Sequence, residues 1–271
     1  MSKRVAELLS DVYARLSEGE TSSNAVFPQS RVLGALNDAQ GMIESALADV
    51  GQGYFREVDV EVAADADTIE PGLDRVLAVN GIWQLDAASD PYAEVALGRP
   101  PLGVAWLEGV EPAYVRLASA VSQAYTFRLS LLLHGAAMHT GTAASGGATS
   151  IVFPSSATLG EVSASDDYYI GAWVYIVSGT GSGQRRQVTD YDGDTREATV
   201  ATWTTNPDDT SVYCVEAGVP ERLEVELAAG AAEILLGEED TADGGTRRAM
   251  WERVMQGRVH AWGMRRQVRR R

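Results

Sequence analysis

The sequence predicts an α+β protein: a helical bundle built from N- and C-terminal helices, with antiparallel β regions inserted between them. Three observations predict this class. Apolar residues recur at helical spacing near both ends of the 271-residue chain. After Gly51 the apolar pattern changes to a period of two residues, which is typical of strands. Pairs that favour tight turns, Asn80-Gly81 and Asp192-Gly193, separate short apolar runs in the middle of the chain.

Two helices are predicted in the N-terminal part. The first covers residues 3–16, and the second runs from Ser30 to Val50. Pro28 precedes the second helix and Gly51 follows it, which suits a helix start and a helix stop. The residues predicted to face the core are Val5, Leu8, Leu9, Val12 and Leu16 in the first helix, and Val32, Leu33, Leu36, Ala39, Met42, Ile43 and Leu47 in the second.

The middle of the chain is predicted to be β structure. Val58, Val60 and Val62 alternate with acidic residues, as in a half-buried strand. Asn80-Gly81 predicts a hairpin between strands at 75–79 and 82–85. Residues 135–149 have the composition of a linker. The β module after it has predicted strands at 187–191, 198–203 and 211–215, and Asp192-Gly193 is its first turn.

Two further helices are predicted near the C-terminus. One begins at Pro220 and ends at Gly237, and the last begins at Thr246. The residues predicted to form their apolar faces are Leu223, Leu227, Ala231, Ile234 and Leu235 in the first, and Met250, Trp251, Val254, Met255, Val259 and Trp262 in the last. The final residues are too charged to fold alone. The predicted organisation is therefore 1–53, N-terminal helices of the bundle; 54–134, antiparallel sheet; 135–149, Gly/Ala/Thr/Ser linker; 150–217, small β module; 218–262, C-terminal helices of the bundle; 263–271, basic tail.

The charge of the chain is strongly asymmetric. Residues 247–271 hold nine arginines and one acid, a net charge of +8, which leaves −24 for residues 1–246 out of a total of −16. An acidic body repels DNA, which suits a conduit through which DNA slides. The same charge also suits simple solubility, as in a protein from a salt-rich environment. The arginines lie beside Trp251 and Trp262, a composition typical of interfaces, of nucleic-acid contacts or of a solvated helix face.

Composition and motifs argue against most kinds of site chemistry. Cys214 is the single cysteine, which excludes an internal disulfide, and no apolar run reaches the ~20 residues of a membrane helix. The first sixteen residues lack the pattern of a signal peptide. His134 and His139 have no further ligand at metal-binding spacing. The glycines at 179–183 lead into a strand rather than a helix, which predicts a turn and not a phosphate loop.

Acidic pairs leave one catalytic alternative open. Asp166-Asp167 and Asp208-Asp209 are among several pairs that a glycoside hydrolase could use. These pairs lie in polar segments, where solvation is the simpler interpretation, and a catalytic pair needs one acid with a raised pKa. The segment starting at Asp190 lacks the glycine and glutamate placement of a calcium loop. We therefore expect no enzyme activity, no cofactor and no metal.

Both ends of the chain resemble the head–tail connector (adaptor) proteins of tailed bacteriophages. VAELLSDVYARLSEGE and VFPQSRVLGALNDAQGMIESAL are similar to their two opening helices, the second with Asn37-Asp38-Ala39 as the N-D/E-A pattern. PERLEVELAAGAAEILLGEEDTADGGTRRAMWERVMQGRVHAWGMRRQ resembles their ending, an Ala/Leu-rich helix, a polar break and a long helix with Trp, Met and Arg. The resemblance covers about 50 residues at each end.

The resemblance implies a structural virion protein of the viral neck, made in the host cytoplasm. Its copies would form a ring, commonly a dodecamer, between the portal protein and a downstream tail or nozzle protein. Genomic DNA would pass through the lumen without sequence-specific binding, and no membrane is involved. By position, the residues implied to contact the portal are Trp251, Trp262, Arg265, Arg266, Arg269, Arg270 and Arg271.

One alternative belongs to a different functional class. The chain could be a tail, baseplate or fibre-attachment protein that uses the β module to bind a partner or a glycan. An exposed row of aromatic side chains on that module would favour this alternative.

Overall fold

The computed structural model describes residues 4–16, 27–50, 54–73, 75–85, 91–96, 105–108, 114–239 and 244–268. It divides the chain into two compact units. One unit is residues 51–134, and the other joins residues 1–50 with residues 135–271.

The described residues of unit 51–134 form seven strands. They are β1 (Tyr54–Val62), β2 (Thr68–Ile69), β3 (Val76–Leu85), β4 (Pro91–Glu94), β5 (Ala105–Glu108), β6 (Tyr114–Leu117) and β7 (Tyr125–Leu133). They form two antiparallel sheets, with strand orders β1-β7-β3-β4 and β2-β6-β5. Val62, Ile82 and Leu129 are among the buried residues of the core of this unit. The alternation predicted for β1 is observed, because Glu57, Asp59 and Glu61 are exposed on its other face.

In the second unit the described residues form seven strands and four helices. The strands are β8 (His139–Thr142), β9 (Ser145–Gly146), β10 (Ser150–Val152), β11 (Trp173–Ser178), β12 (Arg185–Asp192), β13 (Glu197–Val200) and β14 (Val212–Val215). They form one antiparallel sheet in the order β8-β14-β11-β12-β13-β10-β9, curled into a half-barrel. The helices are α1 (Val5–Leu16), α2 (Gln29–Asp49), α3 (Glu224–Glu239) and α4 (Gly244–Val268), and a 3₁₀ turn at Glu221–Leu223 precedes α3.

Two hydrophobic cores hold this unit together. The first lies within the half-barrel and contains Phe153, Tyr169, Tyr191 and Tyr213. In the second core, residues of all four helices pack together with Met138 and Cys214 of the β part. The helix α3 contacts α1, α2 and α4. The sheet therefore has apolar contacts on two sides, its own aromatic core and the helices.

The predicted fold class is wrong. The described residues form strands in three sheets, including the seven-stranded half-barrel, and only four helices. The protein is not a helical bundle with inserted β regions, because Met138 and Cys214 share the core of the helices. The sheet is thus a main layer of the fold. The apolar periodicity indicated which residues are buried, but it carries no information about what they pack against.

The segment 135–149, predicted to be a linker, is structural. It contains β8 and β9, and polar side chains of α2 bind the residues before β8. Asn37 accepts from the backbone N–H of Met138 at 2.8 Å and donates to its carbonyl at 3.3 Å. Gln40 donates to the carbonyl of Ala136 at 3.1 Å, and Glu44 accepts from the N–H of Gly135 at 2.9 Å. These bonds satisfy backbone groups that neither a helix nor a strand ladder pairs.

Two glycine-containing turns also differ from the prediction. Asn80-Gly81 lies inside β3, at a register shift against β7, and forms no hairpin. A Cβ at Gly81 would overlap the Trp83 ring, so this glycine gives space to an aromatic side chain. The Asp192 end of β12 joins β13 through four residues, 193–196, rather than a two-residue turn. Arg196, the last of the four, has a φ of 57°.

The C-terminal helices are longer than predicted. Gly237 lies inside α3 rather than ending it. The helix α4 continues through the segment predicted to be a basic tail as far as Val268, and residues 269–271 lie outside the described residues. The high charge of the final residues predicted that they would not fold, but arginine also has a high helix propensity. Within the described chain, none of the helices has the length and apolar character needed to span a membrane.

Candidate docking surface

Two apolar stripes run along α4, and they have different environments. Trp251, Met255 and Val259 recur every four residues and are buried. Met250 and Val254 each lie one position earlier, about 100° around the helix, and are 70% and 42% exposed. The sequence analysis assigned both sets to one buried face. Apolar residues at adjacent positions widen the apolar face of a helix, and that width was the available signal for a second stripe.

Trp251 attaches α4 to α3. Its indole N–H donates to the carbonyl oxygen of Glu226 at 3.2 Å. Its ring lies against Gly230, where an added Cβ would overlap it. With 6% of its surface exposed, Trp251 is part of the core. Its role as a portal contact stays a prediction, and the structure places the side chain against α3 of its own chain.

A groove opens beside this contact, with a volume of about 360 Å³. Its apolar lining includes Val225 and Ala229 from α3 and Met250 and Val254 from α4. Among the described residues, the large hydrophobic side chains that are more than one-third exposed are Trp173, Val225, Met250 and Val254. Three of these four therefore share one groove. The sequence analysis missed Val225 entirely, because α3 is apolar on most of its surface.

Charged side chains frame the groove. Arg15 lines it from α1 and Arg258 from α4. Arg258 forms an ion pair with Glu226, whose side chain is only 5% exposed. The exposed side of α4 also carries Arg253 and Arg248, and the latter pairs with Glu252 at 3.1 Å. Glu226 and Glu233 also line the groove, so its lining carries two arginines and two glutamates. The α3–α4 groove is therefore the surface formed by Arg15, Val225, Glu226, Glu233, Met250, Val254 and Arg258.

The remaining predicted contact residues fall at the far end of α4 or beyond it. Trp262, Arg265 and Arg266 lie on the helical backbone of α4, in one continuous helix with Trp251. Arg269, Arg270 and Arg271 lie outside the described residues. The structure thus connects the basic end of the chain to the helical core through a single helix of 25 residues.

His139 and Cys214 are buried in the cores of the second unit. His139 is fully buried, and burial lowers its pKa to about 3. Its ring lies 5.2 Å from the ring centres of both Phe153 and Tyr169, and its Nδ1 lies 3.2 Å from the Tyr213 hydroxyl. Burial also raises the pKa of the Cys214 thiol to about 12, so the thiolate is disfavoured.

The glycine-rich and acidic segments form turns. Gly179, Gly181 and Gly183 all have positive φ. Asp192 accepts from the backbone N–H of Thr195 at 2.8 Å, which lowers the pKa of its carboxyl. Hydrogen bonds from Thr210 likewise lower the pKa of Asp208. In the described ranges, no group of three or more His, Cys, Asp or Glu side chains is placed to bind a metal.

A partly buried ion pair joins β12 to the end of β14, with the Arg185 side chain 36% exposed. Arg185 Nε donates to both carboxylate oxygens of Glu216, at 3.1 and 2.9 Å, and Glu216 is 3% exposed. The guanidinium also lies 4.0 Å from the centre of the Trp173 ring. Trp173 is therefore partly covered by a side chain of its own sheet, although 37% of its surface is exposed.

No protein-family model and no curated protein sequence matches the chain.

Proposed function

We propose that this chain is a structural virion protein, a head-to-tail adaptor whose copies form a ring between the portal protein and the tail. The ring would surround the channel through which genomic DNA passes. The proposal starts from the resemblance of both chain ends to adaptor proteins. We also propose that the protein has no enzyme activity, that it lies in the viral neck and that it binds a downstream tail or nozzle protein.

The observation that carries the proposal is the construction of α4. Three buried side chains, Trp251, Met255 and Val259, attach its first part to the helical core. The same helix then continues to Val268, past Arg265 and Arg266. At 1.5 Å per residue the whole helix is about 37 Å long. An attached helix that ends in arginines supports docking to an acidic partner, because guanidinium groups bind carboxylates in a bidentate geometry.

The charge distribution supports the channel role. Residues 1–246 carry −24, and all but one of the charged residues in 247–271 are arginines. A DNA lumen needs walls that do not bind phosphate, whereas an anchor needs cationic side chains. In this chain the excess of acidic residues and the cluster of arginines lie in separate parts of the sequence.

The alternative function on a tail fibre or baseplate receives less support. It called for a row of exposed aromatic side chains on the β module. Among the described residues, Trp173 is the one large hydrophobic side chain of the module that is more than one-third exposed, and Arg185 covers one of its faces. We therefore do not propose it.

The test is binding to purified portal protein from the same particle, measured by biolayer interferometry with the full chain and with a chain that lacks residues 263–271. The truncation keeps Trp251, Met255 and Val259, so we expect a folded protein that loses only the helical signal of the end of α4, together with loss of portal binding. Arg31→Glu is the control, because Arg31 is exposed in the first turn of α2, where an acid is favourable. Undiminished portal binding by the truncated chain would remove the anchor role.

A further inference from the structure

We propose that residues 135–142 form a pH-sensitive latch between the half-barrel and the helices, and that the latch opens when His139 takes up a proton. In the open state β8 leaves β14 while the other strands of the sheet stay paired. The latch is a property of the second unit itself, so this inference does not depend on the proposed function.

The latch joins the two hydrophobic cores of the second unit. Adjacent residues of an extended segment point to opposite faces. Here Met138 is buried in the helical core, whereas His139 is buried among the rings of the aromatic core. Three side chains of α2 bind the backbone just before β8, namely Asn37, Gln40 and Glu44. The segment therefore holds the helical layer and the aromatic core together.

The position of β8 in the sheet allows it to open locally. Among the described strands it is the terminal one, and it pairs with β14 over four residues. One further bridge joins Thr140 to Leu159. Proteins open locally at free energies below that of global unfolding, and the segments that open have few partners to lose. Loss of β8 leaves the pairing of β11, β12 and β13 intact.

The closed latch cannot accommodate a charged imidazole. The Nδ1 atom of His139 lies 3.2 Å from the Tyr213 hydroxyl, and its Nε2 has no hydrogen-bond partner among the described residues. Both ring nitrogens of a protonated histidine are donors. One charged N–H would therefore be buried without an acceptor, which is costly. Water supplies that acceptor in the open state, so proton uptake favours opening.

The groups that face the imidazole do not offset this cost. They include two neutral hydroxyls, from Tyr213 on β14 and Tyr169 before β11, with ring centres 5.5 and 5.2 Å from that of the imidazole. The buried acids on the elements packed against β8 have partners of their own. Glu216, which follows β14, takes part in an ion pair, and Glu44 of α2 accepts from a backbone N–H. Burial is the cause of the lowered pKa of the imidazole.

The experiment is hydrogen–deuterium exchange of the full chain at pH 7 and pH 5, with exchange times scaled for the intrinsic effect of pH on amide exchange. The backbone N–H groups of Met138 and Thr140 are the reporters, because their acceptors are Asn37 and Leu159. With a pKa of about 3 in the closed state and about 6.5 in the open state, the equilibrium constant for opening should rise about 25-fold. Peptides from β12 and β13 should keep their protection.

Two variants test the role of the imidazole. His139→Gln and His139→Phe remove the titrating group, and phenylalanine keeps a ring in the aromatic core. In both variants the protection of residues 135–142 should be equal at the two pH values. Glu44→Gln is the matched control, because it removes a carboxylate that binds the same segment but keeps His139, so the rise in opening should remain.

Three results would overturn the proposal. Equal loss of protection in residues 135–142 and in β12 and β13 would show global unfolding without a latch. Loss that persists in both His139 variants would show that another group is responsible. The third readout is an NMR titration of the native protein: an imidazole that titrates near pH 6.5 while the N–H groups of Met138 and Thr140 stay protected would carry its charge inside the fold.

Discussion

The buried histidine of β8 makes the stability of the second unit depend on pH. His139 is fully buried, and its Nε2 has no hydrogen-bond partner among the described residues. The imidazole is therefore neutral in the folded protein, with a pKa lowered by burial to about 3. In the unfolded chain a histidine titrates near its usual value of about 6.5.

The size and sign of the effect follow from these two values. Above pH 6.5 the side chain is neutral in both states, and it contributes no pH dependence. As the pH falls below 6.5 the unfolded state gains a proton that the folded state does not bind, so the free energy of unfolding decreases. The decrease is about 1.4 kcal/mol per pH unit, which amounts to about 2 kcal/mol at pH 5 and continues until the pH approaches 3.

The assay is urea unfolding at pH 7 and pH 5, followed by near-ultraviolet circular dichroism of the tyrosines. The rings of Tyr169 and Tyr213 lie 5.2 and 5.5 Å from the His139 ring, so they report on this core. Between the two pH values the native protein should lose about 2 kcal/mol more than His139→Phe or His139→Gln.

Phe153→Leu is the matched control for this assay. It removes a ring that packs against His139 but no titratable group, so it should lower the stability equally at both pH values. Equal pH dependence of the native protein and both His139 variants would refute the reasoning. A dependence lost in Phe153→Leu would do the same.

Two further substitutions test contacts that organise the second unit. Arg185→Met should destabilise the protein by about 3 kcal/mol in thermal or urea unfolding, because it leaves Glu216 buried without its partner. The double variant with Glu216→Leu should recover most of that loss, and no recovery would show that the charge is not the cause. Asn37→Ala should cost about 2 kcal/mol, because both backbone groups of the buried Met138 lose a partner; unchanged stability would mean that water replaces these bonds.

The helices were the most predictable part of the structure. The apolar stripes predicted for α1 and α2 are buried or packed against the core. Leu227, Ala231 and Leu235 of α3 are also buried, as the spacing indicated. Helical periodicity is a local property, so a single sequence reveals it. The end of α3 was misplaced because Gly237, a common helix terminator, is tolerated here inside the helix.

The architecture was less predictable because it depends on contacts distant in sequence. Asn37 binds Met138, which lies 101 positions away, and nothing in the local composition of 135–149 indicates that partner. Asn80-Gly81 matched a hairpin locally, yet the demand for space beside Trp83 places it within a strand. In both cases tertiary contacts overrode a valid local preference.

The candidate docking surface was likewise only partly predictable from the sequence. The arginine-rich character of α4 was readable from the sequence, and so was the association of these arginines with tryptophan. Trp251 is buried and Met250 is exposed because of the rotation of α4 about its own axis, which places the Trp251 ring against Gly230 of α3. That rotation is set by close packing between two helices, which sequence spacing alone specifies only to within one residue.

Electron microscopy of intact particles tests the central claim most directly. In particles that carry a small density tag on this chain, the account predicts a ring of tagged copies at the junction of head and tail, around the DNA channel. Tagged density at the tail tip or on fibres, or particles that lack the chain altogether, would contradict it.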